Sequence, residues 1–156
     1  HWAEIADLNG DGRPDLLTGG ELKPTTGSAK AELHLFPGTD DAQKFAGSFE
    51  KLADGGGSFP RLRDLDDDGD LDVATAEYFV DGESFVWFER DGDAWVKHVI
   101  DSSSGPSIQL SFVPNLYGDG QLYAVGANHT NTEMNNPDPE ESAVFVFEVP
   151  SDPLST

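Results

Sequence analysis

Three stretches of the chain are variants of one another, and that repetition limits the folds open to it more than any other feature. "IADLNGDGRPDLLTGG" (5–20) is echoed by "LRDLDDDGDLDVATAE" (62–77) and, more faintly, by "VPNLYGDGQLYAVGAN" (113–128). Aligned on Asp7, Asp64 and Asn115, the copies stand 57 and 51 residues apart. The segments downstream also correspond: "AELHLFPG" (31–38), "SFVWFERDG" (84–92) and "AVFVFEVP" (143–150). Each unit reads as short strands. One precedes the loop ("HWAEIA", "SFPRLR", "SIQLSFV"), one leaves it ("DLLTG", "LDVATAEYF", "LYAVGA"), and the downstream segment is the third. A fourth follows in the first two units, near "KFAGSFEKL" and "AWVKHVI", whereas the third unit stops after its third strand. Alternation, β-branched and aromatic residues, and Gly/Asp/Asn punctuation favour strands, and no segment carries a sustained helical stripe.

Four-stranded units at this interval predict an all-β fold in which each unit is one blade of a β-propeller. The alternative is a β-sandwich that happens to contain two similar loops. The blades would run 1–57, 58–105 and 106–156, the last incomplete. Three blades cannot close a ring, and an open ring leaves strand edges exposed. The chain is therefore expected to belong to a larger propeller of about seven blades, the rest lying on a longer or separate chain. Its opening on His1 rather than Met suggests a processed, trimmed or partial chain, and no signal peptide is visible.

At 156 residues and 37% apolar content, with 17 Gly and 10 Pro, the composition suits a globular, turn-rich domain. The formal net charge of −21 repels phosphate backbones and anionic lipid, which excludes nucleic acid and a membrane surface as partners. No apolar run approaches the roughly 20 residues of a membrane span. There is no cysteine, so no disulfide framework exists.

Much of the negative charge is concentrated in the repeated loops. Oxygen-bearing side chains fall at Asp7, Asn9, Asp11 and Asp15 in the first and at Asp64, Asp66, Asp68 and Asp72 in the second. Gly12 and Gly69 follow the third of them, giving D-x-[DN]-x-D-G-x-x-D. Alternate residues of a tight loop turn their carboxylates inward, and the seventh position (Arg13, Asp70) can add a backbone carbonyl. Hard oxygen donors in such a ring suit Ca²⁺, giving two expected sites. An EF-hand would need a bidentate Glu at position twelve and flanking helices; position twelve is Thr18 or Thr75, and the flanks read as strands. The helical dockerin type of loop fails for the same reasons. In the third loop the corresponding residues are Asn115, Tyr117, Asp119 and Tyr123, which predicts no Ca²⁺ and tyrosines that pack instead. Asp67 and Asp70 lie off the side-chain ligand positions and are expected to face solvent.

These residues and their spacing resemble the FG-GAP/VCBS repeat family, also known from integrin α-subunit propellers. The resemblance covers nearly the whole chain. It implies that each loop joins the inner two strands of a blade, that Ca²⁺ rigidifies it, and that the eight side chains named in the first two loops are ligands. Such propellers are commonly secreted or cell-surface recognition modules. The function this implies is a Ca²⁺-stabilised extracellular propeller that binds a carbohydrate or protein ligand, as in adhesion.

The loops at the opposite end of the blades are the expected place for a ligand. His1, Glu21, Glu77, Tyr78, Asn128 and His129 would gather around one mouth of a central channel. The same resemblance extends to propellers of polysaccharide lyases and fungal aldos-2-ulose dehydratases. In that alternative His1 or His129 is a general base, helped by Glu21 or Tyr78. His34 and His98 read as packed or surface histidines, and Trp2, Trp87 and Trp95 as packing residues. "NHT" (128–130) is an N-x-T sequon, meaningful only in a glycosylating secretory pathway. No nucleophile elbow, phosphate loop or Cys/His metal cluster is present.

Overall fold

The computed structural model describes residues 2–22, 30–41, 44–55, 58–78, 83–128 and 143–155. Among these residues, apart from one short 3-10 turn, Pro153–Ser155, the regular structure is entirely β. The first sheet is a meander of β1 (Trp2–Ala6), β2 (Asp15–Leu22), β3 (Lys30–Phe36) and β4 (Glu50–Asp54). The second repeats it with β5 (Ser58–Arg63), β6 (Asp72–Ala76), β7 (Phe85–Asp91) and β8 (Ala94–Asp101). The third has three strands, β9 (Ser107–Pro114), β10 (Leu122–Asn128) and β11 (Val144–Glu148). Among the described residues all pairings are antiparallel, and the strands do not close into a barrel.

The first strands of the three sheets lie side by side, β1 against β5 and β5 against β9. Between β1 and β5 the Arg61 guanidinium sits 5.2 Å from the centre of the Trp2 ring and 3.4 Å from Glu4. Phe59 tilts onto Trp2 at 5.7 Å from a left-handed backbone position (φ 46°), where β5 shifts register against β6. Between β5 and β9, Arg63 lies over the Phe112 ring at 6.0 Å.

Sequence alternation decides which sheet each strand face meets. In β6 and β7 the register pairs Val73 with Phe88 and Thr75 with Val86 on one face, and Ala74 with Trp87 and Ala76 with Phe85 on the other. Val73, Val86 and Phe88 join Leu17, Leu33 and Leu35 of the first sheet. Ala74, Ala76, Phe85 and Trp87 join Leu110 and Ala124 of the third. The second sheet is thus covered on both faces, which is why all of β6 is buried where a one-sided strand would alternate. Each large core side chain contributes about 1.5–3 kcal/mol by leaving water. The outer faces of the end sheets are uncovered: Ile5 is 62% exposed on β1 and Val144 69% on β11. No helix among the described residues is long and apolar enough to cross a membrane.

Candidate metal centre

The three loops that join the first and second strands of each sheet share one backbone form. The fourth residue is left-handed in each (Gly10 φ 75°, Asp67 φ 61°, Gly118 φ 78°), as is the sixth (Gly12 φ 83°, Gly69 φ 101°, Gly120 φ 83°). Aspartate is among the few side chains that tolerate this conformation, so Asp67 can stand where its counterparts are glycine. The first side chain of each loop accepts the sixth residue's N–H: Asp7 from Gly12 at 2.8 Å, Asp64 from Gly69 at 3.1 Å, Asn115 from Gly120 at 2.7 Å. The fifth accepts from the seventh, as in Asp68 from Asp70 at 2.9 Å.

The ninth residue ties the loop to the sheet in the first two copies. Asp15 accepts the N–H of Leu8 at 2.9 Å and of Gly38 at 2.8 Å. Asp72 accepts those of Leu65 at 2.8 Å and Arg90 at 3.0 Å. Both carboxylates are buried. Beyond its backbone bond to Asp72, Arg90 donates from its guanidinium to the Leu8 carbonyl and to that of Gly92. One residue thereby links the second acidic loop, the first acidic loop and the β7–β8 turn.

The second loop gathers charge. Asp64, Asp66 and Asp72 each bring a carboxylate oxygen within 4.8 Å of the others, the one such gathering of acidic, histidine or cysteine groups among the described residues. Oxygens on a single Ca²⁺, at about 2.3–2.6 Å from it, lie no more than about 5 Å apart. Asp64 Oδ1 is shielded from solvent and accepts no hydrogen bond. A buried carboxylate oxygen without a partner costs free energy that a cation would offset. Burial pushes the Asp72 carboxyl up to about 6 against the bonds from Arg90 and Leu65, and the charges of Asp66 and Asp68 add to the rise. Asp66 is raised by burial and by the charges of Asp68 and Glu89. The donors fit a hard divalent cation. If one binds, Asp64, Asp66 and Asp72 would hold it, and it would supply the positive charge that this cluster lacks.

Two neighbours behave differently from the sequence expectation. Asp68 is exposed, its Oδ1 taking the Asp70 N–H, and its carboxylate stays outside the group of three. Asp70 does not turn fully to solvent: it is half-buried two residues before β6, with Oδ1 shielded and unbonded. Asp67 is exposed, as expected.

In the first loop the side chains serve the backbone. Asp7 accepts the N–H groups of Gly10, Asp11 and Gly12. Asn9 accepts that of Asp11 at 2.9 Å. The Arg13 N–H and guanidinium hold the Asp11 carboxyl below its ordinary range, and Arg13 also reaches Asp40 at 2.8 Å. The first loop carries less negative charge because Asn9, Gly10 and Arg13 stand where the second loop has Asp66, Asp67 and Asp70.

The third loop keeps the shape and loses the charge. The Tyr123 hydroxyl donates to Asp119, and that carboxylate pushes the phenol up to about 12. Tyr117 packs edge-on against Tyr123 at 4.9 Å and 85°. The tyrosines pack together, and one spans the loop with a hydrogen bond.

At the opposite end, His1 and His129 lie outside the described residues, and of Glu21 only the backbone, in β2, is described. Tyr78 is half-buried just past β6. The Asn128 amide donates to the Ser104 carbonyl at 2.8 Å and accepts the Ala143 N–H at 2.7 Å, so it fastens backbone together. Glu77 is fully buried, with Lys97 at 3.7 Å; Lys97 also pairs with Glu83. Sequence reading missed this cluster, although Lys97 shares the β8 face of Trp95, a core position. Gly55 beside it holds a left-handed backbone (φ 99°), where a side chain would be strained, and a Cβ there would lie 2.4 Å from the Glu77 carboxylate. His34 and His98 are half-buried, bonded to Glu32 at 2.9 Å and Glu89 at 2.7 Å and stacked on Phe49 and Trp87. Trp87 belongs to the core and Trp95 packs against it; Trp2 is partly exposed under Arg61.

The Asp72 shift predicts an unusual pH response in the chelated protein. The folded state holds this proton more tightly than the unfolded chain, so the contribution is fully present below about pH 4. It is lost as pH rises through about 6. In chelator, urea denaturation should show stability falling between pH 4 and 6; in calcium that fall should disappear, because the cation holds the carboxylate ionised. A fall of equal size with and without calcium would rule this out.

No protein-family model matches the chain, and no match was found among curated proteins or solved structures.

Proposed function

We propose that the chain is a run of blades from a larger β-propeller of the FG-GAP/VCBS kind, stabilised by Ca²⁺ in its acidic loops and used outside the cell to bind a carbohydrate or protein. Three features support the blade reading: the repeated meander, the lateral order β1, β5, β9, and an acidic loop recurring between the first and second strands. The observation that carries the calcium reading is the gathering of Asp64, Asp66 and Asp72 around a shielded, unbonded Asp64 oxygen. Bound there, Ca²⁺ would cross-link the β5–β6 connection to the end of β7, because Asp72 already holds the Arg90 N–H. Extracellular calcium, near millimolar, would keep even a weak site filled. The binding role rests on the family resemblance and on a metal site whose position between strands suits a scaffold.

Isothermal titration of the chelated chain with CaCl₂ tests the metal. Binding is expected at the second loop, more weakly at the first, and not at the third. Asp68→Ala should weaken it if loading draws that side chain in, whereas Asp119→Ala should leave it intact. An absence of calcium binding would sink the reading. A glycan array probed in calcium and in chelator then tests the ligand: a carbohydrate reader gives calcium-dependent signal, and a blank array leaves a protein ligand.

A further inference from the structure

The ligands gathered in the second loop all belong to the second sheet, yet the residue that steadies one of them is anchored in the first. The Arg90 N–H holds Asp72 Oδ1 at 3.0 Å, so one oxygen of an expected ligand is fixed by the main chain of β7. The Arg90 guanidinium is spread over two carbonyls. Its Nε donates to Gly92 in the β7–β8 turn at 3.1 Å, and its Nη1 donates to Leu8 in the first loop. Leu8 is buried, and a buried carbonyl needs a donor.

That bond enters the first loop where its backbone is pinned. The Leu8 carbonyl and the Asn9 N–H belong to one planar peptide unit. Asp15 Oδ2 accepts the N–H of Asn9 at 3.2 Å and that of Leu8 at 2.9 Å. Asp15 in turn takes the Gly38 N–H at 2.8 Å, just past β3. A continuous series of contacts therefore runs from Asp72 through Arg90, Leu8 and Asp15 to Gly38. The counterparts of Arg90 have no such reach. In the first unit the position is Gly38, whose N–H serves Asp15 in the same way, but a Cβ there would lie 2.5 Å from the Pro14 carbonyl oxygen. In the third unit it is Val149, whose N–H goes to the Leu122 carbonyl.

We propose that Arg90 is a positioning residue that turns the second-loop calcium site into a clasp between the first and second sheets. Asp72, once ionised and held by the cation, fixes the Arg90 main chain, and the guanidinium carries that order to the Leu8 carbonyl. The proposal rests on the calcium reading of the second loop. Linkage makes the effect reciprocal: loosening the guanidinium from Leu8 weakens calcium binding by the factor by which calcium strengthens that contact. The sign separates positioning from plain electrostatics. By charge alone, removing a guanidinium from beside an acidic loop tightens cation binding. Removing a contact that orients a ligand weakens it.

The test is an NMR titration of the isotope-labelled, chelated full chain with CaCl₂. The Gly69 amide, bonded to Asp64, reports filling of the second loop, and the Gly12 amide, bonded to Asp7, that of the first. The Leu8 carbonyl carbon reports the bond from Arg90. In the parent the Leu8 resonance is expected to move at the Gly69 midpoint. Arg90→Met, which keeps the stem and loses the donors, should raise that midpoint about five- to tenfold and leave Leu8 unmoved there. Arg90→Lys keeps the charge, so any rise in its midpoint is positional; it carries the test alone if the methionine variant does not fold. A midpoint unchanged or lowered in these variants overturns the clasp and leaves the calcium site standing. So does a Leu8 shift at the Gly69 midpoint that persists in Arg90→Met. A Gly69 amide indifferent to calcium overturns the calcium reading itself, and the clasp with it.

Discussion

Calcium supplied at a hundred times its dissociation constant is expected to stabilise the chelated protein by about 2.7 kcal/mol. For a domain of this length that is a rise in Tm of roughly 5–11 °C. The gain arises because the unfolded chain offers no preformed site, so binding free energy becomes folding free energy. Mg²⁺ at the same concentration should do less, since it demands octahedral geometry and gives up its waters reluctantly. Asp64→Ala removes a ligand together with the shielded oxygen and should abolish most of the increment. Asp119→Ala, in the tyrosine-closed loop, should leave it unchanged. A Tm indifferent to calcium in differential scanning calorimetry would reduce the second loop to a solvated acidic turn.

Phe85→Ala is expected to cost about 3–5 kcal/mol in urea denaturation, the range for emptying a phenylalanine site in a packed core. The ring is fully buried between the second and third sheets, edge-on to Phe147 at 5.6 Å and tilted to Phe145 at 6.2 Å. It also lies over Gly126, where an added Cβ would come 2.4 Å from the ring. Gly126→Ala alone should therefore overpack the interface, at about 1–3 kcal/mol. Combined with Phe85→Ala it should cost much less, since the cavity left by one change receives the methyl of the other. Strict additivity of the two would mean that the third sheet does not seat on the second through this contact.

The strands were legible because each carries its own signal. The "SFPRLR" segment is β5 (Ser58–Arg63), and the "AWVKHVI" segment opens β8 (Ala94–Asp101). The fourth strand of the first unit starts late in its segment: "KFAGSFEKL" opens with an isolated bridge at Phe45, and only its last three residues, from Glu50, belong to β4. Gly47 and exposed Phe49 interrupt the alternation there, and pairing with β3 decides the boundary. The acidic loops were legible as spacing, and their backbone recurs in all three copies. What spacing could not convey was orientation. Asp68 and Asp70 are chemically identical neighbours, yet one is exposed and the other half-buried, because the turn into β6 settles which side faces the protein. Nor could local pattern reveal Arg90, whose contacts reach 82 residues back to Leu8.

The doubly covered second sheet also has a kinetic consequence. Each end sheet can detach by giving up one interface, whereas the middle sheet opens only after both have gone. In such an arrangement stability is close to a sum of nearest-neighbour contacts. Amide protons of β6 and β7 should then exchange with solvent far more slowly than those of β1 or β11, so the molecule loosens from its two flanks towards its centre. The acidic loop with the densest carboxylates belongs to that slowest sheet. Its geometry would be the last to be lost as the protein opens.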